Sequence, residues 1–343
     1  MSQSDSNFTV NRRRFLQTTT AGVAALATGA AIPGLVSAKD KKPADSNGPE
    51  AIVEHLYDSL TPKQKEDVTF DWNYKDPKRG LLRTRVANNW QVTKPELDSD
   101  YYTSDQQKMV RDIFEGLVSE EWIAKFDQQL DDDAGGFGAE QAIAIFGKPG
   151  TDQFEFVLTG RHMTMRCDGN SAEHVAFGGP IFYGHAASGF NEGPDHVGSV
   201  FWHQALKANE VYKILDGKQQ KQALHNKTPR EQNSGFQGPN GNFTGIPIAD
   251  LSSDQKEAVE DTLKSLVEPY RQKDRDEVAA CLKTMGGLDS CHLTFYSDKD
   301  IGNDKVWDNW RLEGPSFVWH FRGNPHVHVW VNVADSPKVK LNA

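Results

Sequence analysis

Residues 326–333 read His-Val-His-Val-Trp-Val-Asn-Val, and alternation this strict calls for a β-strand. Successive side chains of a strand point to opposite sides, so Val327, Val329, Val331 and Val333 form one apolar face that needs a core to cover it. His326, His328 and Trp330 share the other face. Two imidazoles at this spacing on a rigid strand can reach one metal ion, because histidine is the commonest metal ligand near neutral pH. A lone His-x-His also fits two half-exposed histidines beside a tryptophan, so other residues must decide.

The rest of the chain predicts an α+β fold, a mostly antiparallel sheet packed with helices in a single large domain over 49–343. Three segments place a Ser or Thr three residues before a Gln: Thr61 with Gln64, Thr103 with Gln106, and Ser252 with Gln255. This is the capping-box pattern of a helix start. Helical periodicity follows in Met109, Ile113, Phe114 and Leu117, and again in Val259, Leu263 and Val267. Further helices are expected over 122–130 and 201–215. The irregular spacing of the boxes favours recurring capping chemistry over an internal repeat. Strands are expected over 142–146, in one long run over 154–167, and over 292–296, 316–321 and 326–333, separated by Gly-, Asn-, Asp- and Pro-containing turns. Residues 226–247 are rich in Gly, Asn, Gln and Pro, and a loop of that length is usually functional or disordered.

The N-terminus points to export. Asn11-Arg12-Arg13-Arg14-Phe15-Leu16-Gln17 opens with Arg12 and Arg13, an Ala/Gly/Thr-rich stretch follows, and Val36-Ser37-Ala38 offers a cleavage site. This is a twin-arginine signal peptide over 1–38, an address read by the export machinery, with 39–48 a disordered linker. The expected partner is therefore the twin-arginine export machinery and the expected location periplasmic or secreted. The apolar stretch is too short for a stable membrane anchor, since a span needs roughly 20 apolar residues. Net charge is −10, and −12 once the signal's three Arg and one Asp are removed, which argues against nucleic acid as a partner. Of three cysteines, Cys281 and Cys291 are the expected disulfide, with free thiols at even odds and metal ligation a third reading.

Two features strengthen a metal site. His320 precedes the closing strand; a hairpin loop of three or five residues places it on the His326/His328 face, and one of four places it on the valine face. His162 lies in the 154–167 run, with Gly160 two residues before it to bulge the strand.

The pieces Gly160-Arg161-His162-Met163, Pro180-Ile181-Phe182-Tyr183-Gly184, Trp310-Arg311-Leu312-Glu313-Gly314-Pro315 and His326-Val327-His328-Val329-Trp330, in that order, resemble the secreted bacterial family catalogued as domain of unknown function 3500. The resemblance spans most of the chain through short motifs. It implies a site at His162, His326 and His328. Here Arg161 stands where the family has the first His of Gly-His-His, and His320 stands in place of the family's strand Glu. The family carries no activity across.

Three or four imidazoles suit Zn, Cu, Ni or Fe rather than Ca or Mg. Met163, Met165 and Cys167 alternate on the face opposite His162; as soft donors they favour copper over zinc, unless they are core packing. His185 is a candidate fourth ligand or a support to the ligands, and Arg161, His185 and Trp330 are candidate substrate contacts. His196 and His203, with Glu192 and Asp195 in a Gly-rich loop, read as surface or capping residues, and the acidic run 131–133 as a solvated face. The expected function is an exported metalloprotein with a mononuclear histidine site, possible activities being oxidoreductase or hydrolase. The alternatives are a non-catalytic periplasmic metal carrier, or a ligand-binding module that uses the Trp-rich sheet formed by Trp307, Trp310, Trp319 and Trp330.

Overall fold

The computed structural model describes residues 48–169, 171–172, 174–186 and 196–339; the signal, with Arg12 and Arg13, and all but the end of the linker lie outside them. The first half of the described chain runs α1 (Pro49–Ser59), α2 (Pro62–Val68), β1 (Thr69–Phe70), β2 (Lys75–Asp76), β3 (Gly80–Leu81), α3 (Ser104–Leu117), α4 (Glu120–Ala134), β4 (Ala142–Gly147), β5 (Phe154–Gly160), β6 (Met163–Cys167) and β7 (Ile181–His185). The second runs α5 (Trp202–Ile214), α6 (Gly217–Ala223), β8 (Leu224–His225), β9 (Ile246–Pro247), α7 (Ser253–Val267), α8 (Gln272–Thr284), β10 (His292–Tyr296), β11 (Asn309–Gly314), β12 (Phe317–Arg322) and β13 (Val327–Val333). Eleven strands make one mostly antiparallel sheet, and the fold is α+β as expected.

The two halves repeat each other. Leaving aside the small β2–β3 hairpin and β9, each is two helices, a short strand, two helices and a four-stranded meander. Strand order reads alike from either edge, β1-β4-β5-β6-β7 meeting β13-β12-β11-β10-β8. The short strands β1 and β8 both pair in parallel, with β4 and β10. The expectation of capping chemistry without a repeat is thus corrected; connections of unequal length hid the period. All three expected capping boxes form, and Asp216 with Gln219 makes a fourth. They work in pairs. The amides of Gln64 and Gln106 exchange hydrogen bonds of 2.9 and 3.1 Å, and those of Gln219 and Gln255 do so at 3.1 and 2.8 Å.

One sheet face carries Ile143, Leu158, Met165, Val329, Val331, Trp319 and Phe321 into the main core, where the helices cover it. The valine face of β13 therefore lies where the alternation put it. The opposite face is polar toward its C-terminal half, where Arg311, His320 and Trp330 lie side by side on β11, β12 and β13. Residues 70–92 cover the first half of this face through Trp72, Leu82, Trp90 and Val92, and the 226–247 loop covers the second. Beneath the first cover, the fully buried Glu155 pairs with Arg166 at 2.8 Å and Arg83 at 3.2 Å.

Two expectations fail locally. The run 154–167 is two strands, because Gly160 pairs with Met163 and the chain reverses through Arg161-His162. Gly160 serves close approach rather than a bulge: a Cβ there would lie 2.8 Å from Gln141 Cγ and 3.0 Å from Glu140 O. Met163, Met165 and Cys167 are consequently core side chains. The Cys281–Cys291 disulfide is not formed either; all three cysteines are free and buried. Cys281 lies on α8, while Cys291 follows the turn Gly286-Gly287 and packs near Gly314. Burial pushes both thiols up to about 12, which suppresses the reactive thiolate. Thiol titration of the purified chain without reductant should count three thiols after unfolding and almost none, on the same timescale, in the native protein; a count of one after unfolding would restore the disulfide.

Candidate metal centre

The turn between β5 and β6 presents His162 with φ 51°, a left-handed backbone that a non-glycine residue keeps only when its surroundings hold it. They do. The His162 N–H donates to Asn88 O and Asn89 Oδ1, both at 3.2 Å, and its ring is 1 % exposed. From the seam strand β13 come His328 and, just before the strand, His326, each nearly buried.

Three Nε2 atoms converge. His328 Nε2 lies 3.0 Å from His162 Nε2 and 2.9 Å from His326 Nε2. Among the described residues this trio is the group of His, Cys, Asp or Glu whose ligand atoms could hold a metal ion. Two rings are backed by carboxylates. His162 Nδ1 donates to Asp133 Oδ2, and His328 Nδ1 donates to Glu231 Oε2 at 2.8 Å. A proton committed to Nδ1 leaves Nε2 with its lone pair, so the Nε2 atoms of His162 and His328 are acceptors that call for a cation between them. With metal–nitrogen bonds of about 2.0–2.1 Å, tetrahedral ligands sit roughly 3.3 Å apart, close to this spacing.

Both carboxylates are held by second partners. Asp133 accepts Arg161 Nε at 2.9 Å, and Glu231 accepts Arg322 at 3.3 Å and Trp330 Nε1 at 3.3 Å. Burial pushes the Asp133 carboxyl up, but the bond and charge of His162 and then Arg161 outweigh it and leave it below the usual range. Glu231 is likewise raised by burial and brought below by His328, Arg322 and Trp330. Burial drives His328 down to about 3.

Neither carboxylate was singled out in the sequence. The run 131–133 had read as solvated, yet the Asp133 side chain is fully buried at the end of α4. The helical stripe of Trp122, Phe126 and Leu130 continues to Asp133, which was the available signal. Glu231 sits in the polar 226–247 loop, where no periodicity marks it.

The remaining candidates fall elsewhere. Arg322 pairs with His328, so five residues lie between the paired positions, and His320 does share the His328 face. It stands opposite Trp330, its Nδ1 accepts Arg311 Nε at 3.3 Å, and it is not part of the trio; the expected fourth ligand is not there. Burial holds its pKa well below the usual value. His185 pairs with Val327, which places it on the apolar face, stacked on Phe201 at 5.9 Å and lowered to about 3 by burial. Arg161 is committed to Asp133, and Trp330 packs against Phe182 at 5.1 Å. His203 bonds Glu268 at 2.9 Å, and His196 accepts the Gly198 N–H at 3.0 Å; Glu192 and Asp195 lie outside the described residues. Trp307, Trp310, Trp319 and Trp330 are all buried, with no more than 8 % exposure, so they offer no aromatic platform to a ligand.

His185, His320 and His328 are neutral in the fold and titrate near 6.5 once unfolded, so the unfolded chain binds more protons below that value. Their contribution to stability is fully present above pH 6.5 and is lost as pH falls from 6.5 toward about 3. Urea unfolding of metal-free protein across this window should lose up to about 1.4 kcal/mol per pH unit for each imidazole, and a His320→Asn variant should show a shallower slope.

Compared with known proteins, the chain matches no curated protein and no solved structure. The model of a family described as "Protein of unknown function (DUF3500)" matches residues 45–334. The resemblance carried by the short motifs is thereby shown over most of the chain, and the protein belongs to this family.

Proposed function

We propose that this chain is an exported metalloprotein that binds one transition-metal ion on Nε2 of His162, His326 and His328. What supports the reading most is the carboxylate backing of His162 and His328, which aims two lone pairs at the same point as His326. Among the described residues the trio offers three ligands rather than four, the pattern of catalytic zinc sites, in which a fourth position takes water or substrate. This favours an enzyme over a carrier. Met163, Met165 and Cys167 belong to the core, so the soft-donor ground for copper falls away, and carboxylate-backed imidazoles favour zinc. When bound, the ion would supply a Lewis acid able to polarise a substrate or activate water. Asp133 and Glu231 hold the ring protons at Nδ1, Arg161 and Arg322 keep those carboxylates charged, and Phe182 and Trp330 exclude water from the back of His328.

Elemental analysis of the full chain, purified after native export, tests this. About one zinc per chain is expected, absent from a His326→Ala/His328→Ala variant that remains folded. Asp133→Asn should weaken zinc about 10–100-fold, the usual effect of losing such a backing group. No metal on the purified protein, and none taken up when zinc or copper is added, would end the metalloprotein reading.

The export half of the proposal rests on the Arg12-Arg13 signal and is tested separately. Replacing both arginines by lysine should retain the chain in the cytoplasm, leaving its zinc affinity unchanged. Unaltered export of that variant would remove the twin-arginine route.

A further inference from the structure

Residues 226–245 form a strap over the polar face of β10 to β13. Its fastenings are polar: Thr228 to Asp298, Arg311 to Asn233 O at 2.9 Å, Asn332 to Ser234 O at 3.0 Å, Gln237 to Glu313 at 2.9 Å, and the Gly238 N–H to Pro315 O at 2.9 Å. Apolar burial adds little, since Ser234 alone among 226–245 is fully buried. Beneath the strap, Ser234 Oγ, His320 Nε2 and Asn332 Oδ1 are buried and have no hydrogen-bond partner within the protein. One network links them: Asn332 bonds Ser234, and Arg311 bridges His320 to the neighbouring Asn233. Such groups regain partners when water reaches them, so closure of the strap over them is weakly favoured.

Glu231 is where the strap meets the metal centre. One carboxylate accepts from His328 Nδ1, Trp330 Nε1 and Arg322. The bond from His328 depends on where that ring carries its proton. An ion on Nε2 leaves the proton on Nδ1, facing Glu231. Without one, His328 Nε2 faces two ring nitrogens within hydrogen-bond distance, His162 Nε2 at 3.0 Å and His326 Nε2 at 2.9 Å, and can donate to either. A proton moved to His328 Nε2 turns a lone pair toward the Glu231 carboxylate, and the two repel.

We propose that Glu231 makes metal occupancy and strap closure one equilibrium: the ion fixes the His328 tautomer that fastens the strap, and the fastened strap holds His328 for the ion. This rests on the metal reading above. It makes Glu231 a positioning residue for His328 and the strap a cover that releases the polar sheet face when the site is stripped.

Hydrogen exchange across 226–245, in full-length protein stripped by chelator and then loaded with zinc, tests the coupling beside a direct zinc titration. Zinc should raise protection of the strap at least about fivefold, within the usual range of coupling between two sites. Glu231→Gln should abolish that response and weaken zinc about 10–100-fold while the β12 and β13 amides stay protected. Coupling is reciprocal, so Gln237→Ala, which loosens the far end of the strap and touches no ligand, should weaken zinc, by up to the factor by which zinc favours closure. This second variant carries the test if Glu231→Gln does not fold. One zinc bound per chain with strap protection unchanged, or a Gln237→Ala strap that loosens with zinc affinity intact, overturns the coupling and leaves the metal reading standing. Failure to bind zinc removes both.

Discussion

The two halves of this molecule meet along one pair of strands, β7 against β13, and the site depends on how closely they run. His328 pairs with Gly184 across that seam. A Cβ on residue 184 would lie 2.1 Å from the carbonyl oxygen of Val327, so any side chain there would drive the strands apart. The seam sets where β13 stands relative to β6, and hence the reach from His328 to His162 on the β5–β6 turn. The candidate ligands come from both halves, as do the backing carboxylates, Asp133 from the first and Glu231 from the second.

The halves repeat in architecture but not in chemistry. Gly160 and Met163 bracket the β5–β6 turn just as Gly314 and Phe317 bracket the β11–β12 turn. Between them one half holds Arg161-His162 and the other Pro315-Ser316, whose serine hydroxyl donates to Ala334 O at 2.7 Å. Counting three residues beyond Met163 and Phe317 reaches Arg166 in one half and His320 in the other. His320 thus occupies the place of a buried arginine, a rung away from the turn where the ligands gather. That position, rather than its face, keeps it out of the trio.

Strong local patterns were legible in the sequence. Alternation placed Val327 to Val333 on the core, the Ser/Thr-x-x-Gln boxes marked three helix starts, and His162, His326 and His328 are the histidines the fold brings together as a group that could hold a metal ion. What was not legible turned on contacts distant in sequence. The run 154–167 hides its reversal because Arg161-His162 carries no turn composition and is held by Asn88 and Asn89. Asp133 looked solvated beside two exposed neighbours, and Glu231 belongs to a loop with no period at all. The repeat escaped because paired glutamines 42 residues apart in one half are 36 apart in the other.

The order in which the strands are made bears on how such a molecule comes to exist. β13 is the last of the described strands in the chain and yet sits near the centre of the sheet. Until it arrives, β7 and β12 each present an open edge, the kind of surface that invites pairing with another chain. Joining the two half-sheets therefore takes the insertion of β13 between β7 and β12, and that insertion also delivers His326 and His328 to His162. Closing the sheet and bringing the three histidines together are the same molecular event, and neither is complete until β13 is in place.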